Sequence, residues 1–411
     1  MIKPLCLILV FVVALGTCAT QGQTIVPGTP GFCTDRPDKL YCLLPRLFDE
    51  ANPDPFTPVT AAFASQLTQV PLASPASGII YVLDPRINVP VRSGQETYGP
   101  VLTDRGDTLG RHALFVAFTF QHFSFSSIDG ISLGQIPVVF NVCTITGQCA
   151  PIGTIDSINL TVNQYAFFAT YGLANRVDVS VAVPLINVNM GAAGVSCTIC
   201  DGPIDYSVPP NGVQYDFRPQ SKSQGALGLG DVVFRVKGQV LRHGKYKIAL
   251  GGDFRVATGD ALNFLGAGAV GVRPFVAFSR GGHISPHLNV GYQWNGDSIL
   301  GGEVAGTKGK LPDNLFYSAG FDAALHSKLT LAGDFLGEHV VGQFRLKRIV
   351  TDNVPDVSVV KGNFNTAKAS VGLKYNPVKN MIISGNVLLR LDHNGLRNKP
   401  VPLIGVSYTF N

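Results

Sequence analysis

The stretch Ile284-Ser-Pro-His-Leu-Asn-Val-Gly-Tyr-Gln-Trp294 alternates strictly, with apolar residues or proline at even positions and polar residues or glycine at odd ones. Such alternation indicates a β-strand with one apolar and one polar face. Similar segments of about 10 to 14 residues recur through residues 111–411, close to the length that tilted strands need to cross a bilayer. The pattern predicts an all-β fold, an antiparallel transmembrane β-barrel of about 12 strands.

The composition agrees with a large apolar surface and many turns. Charged residues make up 14% of the 411 residues, and 46 residues are glycine. Ordinary globular proteins carry about a quarter charged residues. The 32 Lys and Arg exceed the 27 Asp and Glu only mildly and form no basic run, so the charge gives no basis for a nucleic-acid partner.

The amino terminus has the pattern of a secretory signal peptide, which we assign to residues 1–19. Lys3 precedes an apolar core from Leu5 to Leu15, and small residues follow. Leu15-Gly-Thr-Cys18 also resembles a lipobox, so lipidation of Cys18 remains an alternative. No later stretch is apolar for the roughly 18 residues that a spanning helix needs, so strands would have to cross the membrane.

The cysteines beyond the signal occur in close pairs, as expected of local disulfides in an exported protein. The sequence therefore predicts three bridges: Cys33–Cys42, Cys143–Cys149 and Cys197–Cys200. The alternative for the last pair is a redox or metal motif, but no second such pair and no nearby histidine accompanies it. We assign no metal and no cofactor.

Residues 20–110 form a separate region that is rich in proline. Its one clear hairpin candidate pairs Ile79–Leu83 with Asn88–Arg92. The rest is expected to be irregular. The whole region is either a plug in the barrel or a periplasmic segment, and the sequence leaves both possibilities open.

The connections between the predicted strands are asymmetric. Every second one is a tight turn, as at His243-Gly244, Gly281-Gly282 and His326-Ser327, whereas most others are long. Outer-membrane barrels have short periplasmic turns and long external loops, so both termini are expected to face the periplasm. A soluble sandwich or lipocalin-like barrel would have shorter strands and no such asymmetry. A phase change near Asn163 and Gln164 also predicts a β-bulge.

The last strand, Gly405-Val-Ser-Tyr-Thr-Phe410, resembles the carboxy-terminal assembly signal of bacterial outer-membrane proteins. This resemblance implies the bacterial outer membrane as the location. Outer-membrane lipid and the outer-membrane assembly machinery are then the expected partners.

Three internal segments resemble the family of outer-membrane transporters associated with meta-pathway phenol degradation. They are Ala169-Thr-Tyr-Gly-Leu-Ala-Asn-Arg-Val-Asp-Val-Ser-Val-Ala-Val-Pro184, Gly228-Leu-Gly-Asp-Val232, and Arg255-Val-Ala-Thr-Gly-Asp260 with Leu265-Gly-Ala-Gly268. The resemblance implies a barrel that passes small solutes, aromatic or otherwise apolar, and is distantly similar to fatty acid and toluene channels.

The inward positions of the predicted strands carry mixed charge, which suits a water-containing lumen. The lumen-lining candidates are Asp178, Asp231, Arg235, Lys237, Lys247, Asp253, Arg255, Arg273, Asp322, Asp334, Glu338, Lys368, Lys374 and Arg390. In the alternative interpretation these residues form cross-strand ion pairs that fill a narrow interior.

We predict no catalytic residues. Ser285 and His287 share a face of one strand, but nothing marks a third member or an oxyanion donor. The sequence thus favours a passive outer-membrane channel for small molecules. The alternative is a structural or adhesive barrel whose disulfide-stapled external loops bind a partner.

Overall fold

The computed structural model describes residues 32–48, 57–68, 70, 81–84, 89–92, 97–136, 138–143, 149–197, 217–304, 306–351 and 354–410. Twelve antiparallel strands form a closed barrel, which confirms the predicted fold. We number these strands β1 to β12 in chain order: Leu114–Ile128, Cys149–Ala174, Val177–Cys197, Val232–His243, Tyr246–Val256, Gly271–Arg280, Ile284–Asn295, Asp313–His326, Leu329–Thr351, Val354–Tyr375, Met381–Arg390 and Val401–Phe410.

The first strand closes the barrel by pairing with both the second and the last. Leu114 lies opposite Tyr171 on β2 and opposite Phe410 on β12. Because the sheet closes on itself, backbone N–H and C=O groups of the wall bond between strands. This is the condition for crossing lipid, where an open sheet edge would leave those groups unpaired.

The wall has an apolar outer face and a polar inner face. On β7 the side chain of Leu288 is 52% exposed, whereas Asn289 beside it is 7% exposed. Large apolar residues point outward around the barrel, including Val236, Leu250, Val276, Leu288, Val371 and Ile404. A band of this kind is unusual for a surface facing water and typical of one facing acyl chains.

The two ends of the barrel differ as predicted. At one end, here called the short-turn end, tight turns connect the strands. These turns are residues 175–176, 244–245, 281–283, 327–328 and 376–380. At the other end, the long-loop end, the strands are longer: β2, β9 and β10 have 26, 23 and 22 residues. A further strand, Phe217–Leu229, pairs there with residues 185–197 of β3.

The bulge predicted near Asn163 and Gln164 is wrong. The pairing of β2 with β1 and with β3 runs through both residues without a shift, and its irregularities lie between Ile155 and Ser157 and between Gly172 and Ala174. The apparent phase change arose because the inner face itself becomes apolar toward the long-loop end. Leu160 and Val162 point inward there and belong to the same apolar core as the amino-terminal region.

The amino-terminal region contains more regular structure than its sequence suggested. The predicted hairpin is present as Tyr81–Asp84 paired with Val89–Arg92. A helix that was not predicted, α1, spans Thr57–Leu67, and two short 3-10 helices span Leu40–Cys42 and Pro45–Phe48. Within the part of the chain that the structure describes, no helix is long and apolar enough to cross a membrane.

The cysteine predictions have different outcomes. The Cys33–Cys42 disulfide is confirmed. The backbones of Cys143 and Cys149 are paired across a hairpin, but their side chains lie outside the described set. The predicted Cys197–Cys200 bridge, the signal peptide and Cys18 also fall outside it.

Candidate functional site: the barrel interior

Residues 97–110, here called the inner segment, lie against the inner wall at the short-turn end. Every one of these residues is buried. The Tyr98 hydroxyl donates a hydrogen bond to the Ser327 carbonyl oxygen at 2.7 Å, and the Lys374 ammonium donates to the Tyr98 carbonyl oxygen at 3.3 Å. Since Ser327 belongs to a tight turn, this end of the barrel is occupied by chain.

The inner segment is held mainly by charge. Arg105 donates to Asp322 at 2.5 Å, and Asp104 accepts two hydrogen bonds from Arg235 at 2.9 Å. The contacts continue with an ion pair between Asp107 and Lys247 and with the Leu109 backbone N–H donating to Asp178 at 3.0 Å. The segment thus places charges of both signs against opposite charges on the wall, which offsets the cost of burying either set.

Asp253 is the centre of the charged wall. It accepts from Arg235 at 2.5 and 2.9 Å and from Arg273 at 2.5 and 2.9 Å. Arg255, two residues further along β5, lies 3.6 Å from Asp231 and donates to Asn295 at 2.8 Å. The register pairs Asp253 with both Arg235 and Arg273 across adjacent strands, so strand pairing brings these charges together.

His287 is fully buried between two carboxylates. Its Nε2 lies 2.7 Å from Asp334 and its Nδ1 lies 3.4 Å from Asp322. Thr103 of the inner segment donates to the same Asp334 at 2.8 Å. The Ser285 hydroxyl donates to the Gly282 carbonyl oxygen at 3.1 Å. Both ring nitrogens of His287 therefore face carboxylates that anchor the inner segment.

The other predicted residues are also buried against the wall. Lys368 lies 3.5 Å from Glu338, Arg390 lies 2.9 Å from Asp392, and Lys237 lies 3.5 Å from the Arg105 carbonyl oxygen. Sequence reasoning did not identify Asp104, Arg105 or Asp107, and it considered His287 only as a catalytic candidate that was set aside. A signal for the first three was present, because the run Thr103-Asp-Arg-Gly-Asp107 concentrates charge in a chain that is only 14% charged.

The long-loop end is covered by the outer segment, which we define as residues 32–48, together with α1. Lys39 forms an ion pair with Asp260 at 2.9 Å, and this hydrogen bond raises the pKa of Lys39. Gln66 on α1 donates to the Phe344 carbonyl oxygen at 3.2 Å. Most of the cover is apolar, with Leu40, Tyr41, Leu44, Leu47 and Phe63 all buried in the main core.

A cavity of about 240 Å³ lies between the inner segment on one side and the outer segment with α1 on the other. Leu67 and Val70 border it from the side of α1, and Leu102 and Asp104 border it from the inner segment. One wall is apolar and is built from Val162, Phe168, Ala182, Pro184, Ile186, Phe264 and Leu265. Another wall is polar and includes Arg235, Asp253, Arg255, Arg273, Asn289 and Asn295. Within the described ranges, no group of three or more His, Cys, Asp or Glu side chains could hold a metal ion.

The fold has counterparts among solved outer-membrane channels. The chain is similar to the COG4313 outer membrane channel from Pseudomonas putida F1, with 12% identity, a TM-score of 0.47, and coverage of 75% of this chain and all of that one. It is also similar to the CymD monoaromatic hydrocarbon channel, with 7% identity, a TM-score of 0.37, and coverage of 73% and 89%. A FadL homologue from Pseudomonas aeruginosa shares 7% identity with a TM-score of 0.35 over 82% and 96% of the two chains.

No protein-family model and no curated protein matches the sequence. The likeness to the channels lies at the level of the fold, and the substrates in their names belong to those proteins. The class that the fold and its apolar outer surface define is a transmembrane β-barrel of twelve antiparallel strands.

Proposed function

We propose that this chain is an outer-membrane channel that lets small molecules pass passively. The observation that carries the proposal is the cavity of about 240 Å³ enclosed within a closed barrel whose outer face is apolar. A barrel that served only as an anchor has no need for a cavity bordered by separate chain segments at its two ends. Interior sites bounded by polar and apolar side chains are typical of solute pathways.

In this proposal the short-turn end faces the periplasm and the long-loop end faces outward. Residues 1–19 act as the signal peptide, residues 20–110 form the plug and its connections, and residues 111–411 form the barrel. The last strand, Val401–Phe410, is the segment that the assembly machinery recognises, and the exposed apolar band contacts outer-membrane lipid. Seven of the lumen-lining candidates bind the plug in its closed position: Asp178, Arg235, Lys237, Lys247, Asp322, Asp334 and Lys374.

The size and lining of the cavity favour compact aromatic or apolar solutes. A cavity of about 150 Å³ lined by apolar side chains holds benzene, so this one has room for a single substituted ring. Because the inner segment lies against the wall at the short-turn end and the outer segment with α1 packs at the long-loop end, we expect passage to require these segments to move. The ion pairs of the inner segment make it a polar gate, and the apolar contacts of the outer segment make it a second cover.

The proposal is tested with the full chain reconstituted into planar bilayers and liposomes. We expect discrete conductance steps in KCl, and liposome swelling in glycine and arabinose that decreases as the solute becomes larger. Protein-free liposomes provide the baseline. A folded barrel that gives neither conductance nor swelling above that baseline would overturn the channel proposal.

The adhesive alternative depends on stapled external loops. Its predicted bridges, Cys143–Cys149 and Cys197–Cys200, involve side chains outside the described part of the structure. No described contact favours it over passage of solutes.

A further inference from the structure

The charged wall of the cavity offers hydrogen-bond donors that its own carboxylates do not use. Arg273 donates through Nε and Nη2, and both bonds go to the single oxygen Oδ2 of Asp253 at 2.9 and 2.5 Å. Within the described part of the chain, its third nitrogen, Nη1, has no hydrogen-bond partner. The Arg273 side chain is 36% exposed, and it borders the cavity.

Arg255 shows the same feature at a more buried position. Its Nε is buried without a hydrogen-bond partner among the described residues, since Asp231 is 3.6 Å away. The register places Asp253 opposite Arg273 and Arg255 opposite Gly271, so Arg255 and Arg273 are diagonal neighbours on one face. A buried donor without an acceptor is costly, and two neighbouring guanidinium groups favour an anion that both can reach.

The remaining charges of the cavity are already matched. Arg235 is shared by Asp104 and Asp253, and Glu338 on another strand has Lys368 as its counterpart. The ring of Phe316 lies under the Arg273 guanidinium at 4.9 Å, which holds that group in place over the cavity lining. The spare capacity of the site is therefore for an acceptor.

We infer that the cavity binds a compact aromatic carboxylate, with its ring against Phe168 and Ile186 and its carboxylate at Arg255 and Arg273. This inference deepens the proposed channel function by naming the class of solute. The apolar wall and the polar wall of the cavity each support this inference. The apolar wall supplies the surface for a ring, and planar guanidinium groups bind carboxylates through paired N–H donors.

The test is equilibrium binding to the full chain in detergent, measured by calorimetry with three ligands of one shape. Benzoate carries the anion, benzyl alcohol is neutral, and benzylammonium carries the opposite charge. We expect saturable binding of one benzoate, weaker binding of benzyl alcohol, and binding of benzylammonium at least about tenfold weaker than that of benzoate. The Arg273→Gln variant should weaken benzoate about tenfold, while Arg242→Gln, an exposed arginine on β4, should bind benzoate like the unmodified chain.

The inference is overturned if benzylammonium binds as tightly as benzoate, if benzoate binding does not saturate, or if folded Arg273→Gln binds benzoate unchanged. Should Arg273→Gln fail to fold, the three-ligand comparison on the unmodified chain and the Arg255→Gln variant decide the matter. Binding does not depend on conductance. A barrel that conducts but does not bind benzoate refutes only the inference. A barrel that binds benzoate but does not conduct refutes only the channel proposal.

Discussion

Single carboxylates connect several elements of this interior. Asp253 is 5% exposed and neutralises guanidinium groups from the strands on both sides of its own. Removing its charge would leave Arg235 and Arg273 with one anion fewer in a poorly solvated place. Breaking a buried pair is more damaging than losing a surface pair, because the remaining charge stays buried.

We predict that Asp253→Asn lowers the free energy of unfolding by about 3–5 kcal/mol. Urea unfolding of the reconstituted barrel, followed by tryptophan fluorescence, measures the change. The matched control is Glu303→Gln, which removes one partner of an exposed ion pair with Lys361 and should leave the unfolding midpoint unchanged. Equal stability of Asp253→Asn and the unmodified chain would show that the network is not structural.

A second residue-level prediction concerns the two faces of β7. Leu288→Arg places a charge on the lipid-facing surface and should cost about 2–4 kcal/mol if the position lies near the bilayer midplane. Gln293→Arg adds the same side chain on the inner, cavity-lining face of the strand and should cost much less. Asn289 is unsuitable as the control, because it bonds the backbone of Asp104 in both directions at 2.8 Å. Equal costs in bilayer folding assays would contradict the assignment of faces.

At the level of strands, aromatic rings lie across glycines of the neighbouring strand. Phe275 on β6 is the register partner of Gly251 on β5, and a Cβ atom at Gly251 would come within 2.2 Å of the ring. The ring in turn lies 4.8 Å from the Arg235 guanidinium. The glycine thus makes room for a side chain that supports the charged wall.

Gly251→Ala should therefore destabilise the barrel by about 1–3 kcal/mol through overpacking. Gly252→Ala is a close control, because a Cβ atom there meets nothing within 4 Å. We expect that variant to unfold at the same denaturant concentration as the unmodified chain or slightly later. Equal effects of the two substitutions would point to backbone flexibility of β5 as the cause rather than contact with Phe275.

The outer segment is an element whose disulfide acts locally. Cys33→Ser with Cys42→Ser should leave the unfolding midpoint of the barrel unchanged, because the bridge closes a short loop and constrains only that loop. The same double variant should make residues 32–48 more accessible to protease, as measured by limited digestion and mass spectrometry. A large drop in barrel stability would mean that the outer segment supports the wall.

At the level of the whole molecule, the barrel could be predicted because its determinants are local. Alternation defined the strands, and tight turns such as His243-Gly244 defined their connections. Because an even number of strands lets the first and last strands run antiparallel, the closing contact between β1 and β12 could also be expected. Positions such as Leu288 and Arg235 were assigned to opposite faces by strand periodicity alone.

The contents of the barrel could not be predicted in the same way. The contact between Arg105 and Asp322 spans 217 residues, and no periodicity marks it. Helix α1 could not be predicted from the pattern because its flanking sequence is rich in proline, although Pro58 suits a first helical turn and its alanines favour helix. Leu160 and Val162 have the sequence pattern of an outward face although they point inward, because the amino-terminal region covers the inner wall there with apolar side chains.

In the proposed mechanism of passage, solutes cross the lumen only when the inner segment leaves the wall. Thr97 Oγ1 lies 3.5 Å from Ser285 Oγ, so Thr97→Cys with Ser285→Cys can tie the inner segment to β7 through a new bridge. The measurement is planar-bilayer conductance of this variant before and after reduction, with the unmodified chain under the same conditions to account for reduction of Cys33–Cys42. We predict that the oxidised variant does not conduct, and that reduction restores the conductance of the unmodified chain. Equal conductance of the oxidised and reduced variant, with the new bridge verified by mass spectrometry, would contradict the account.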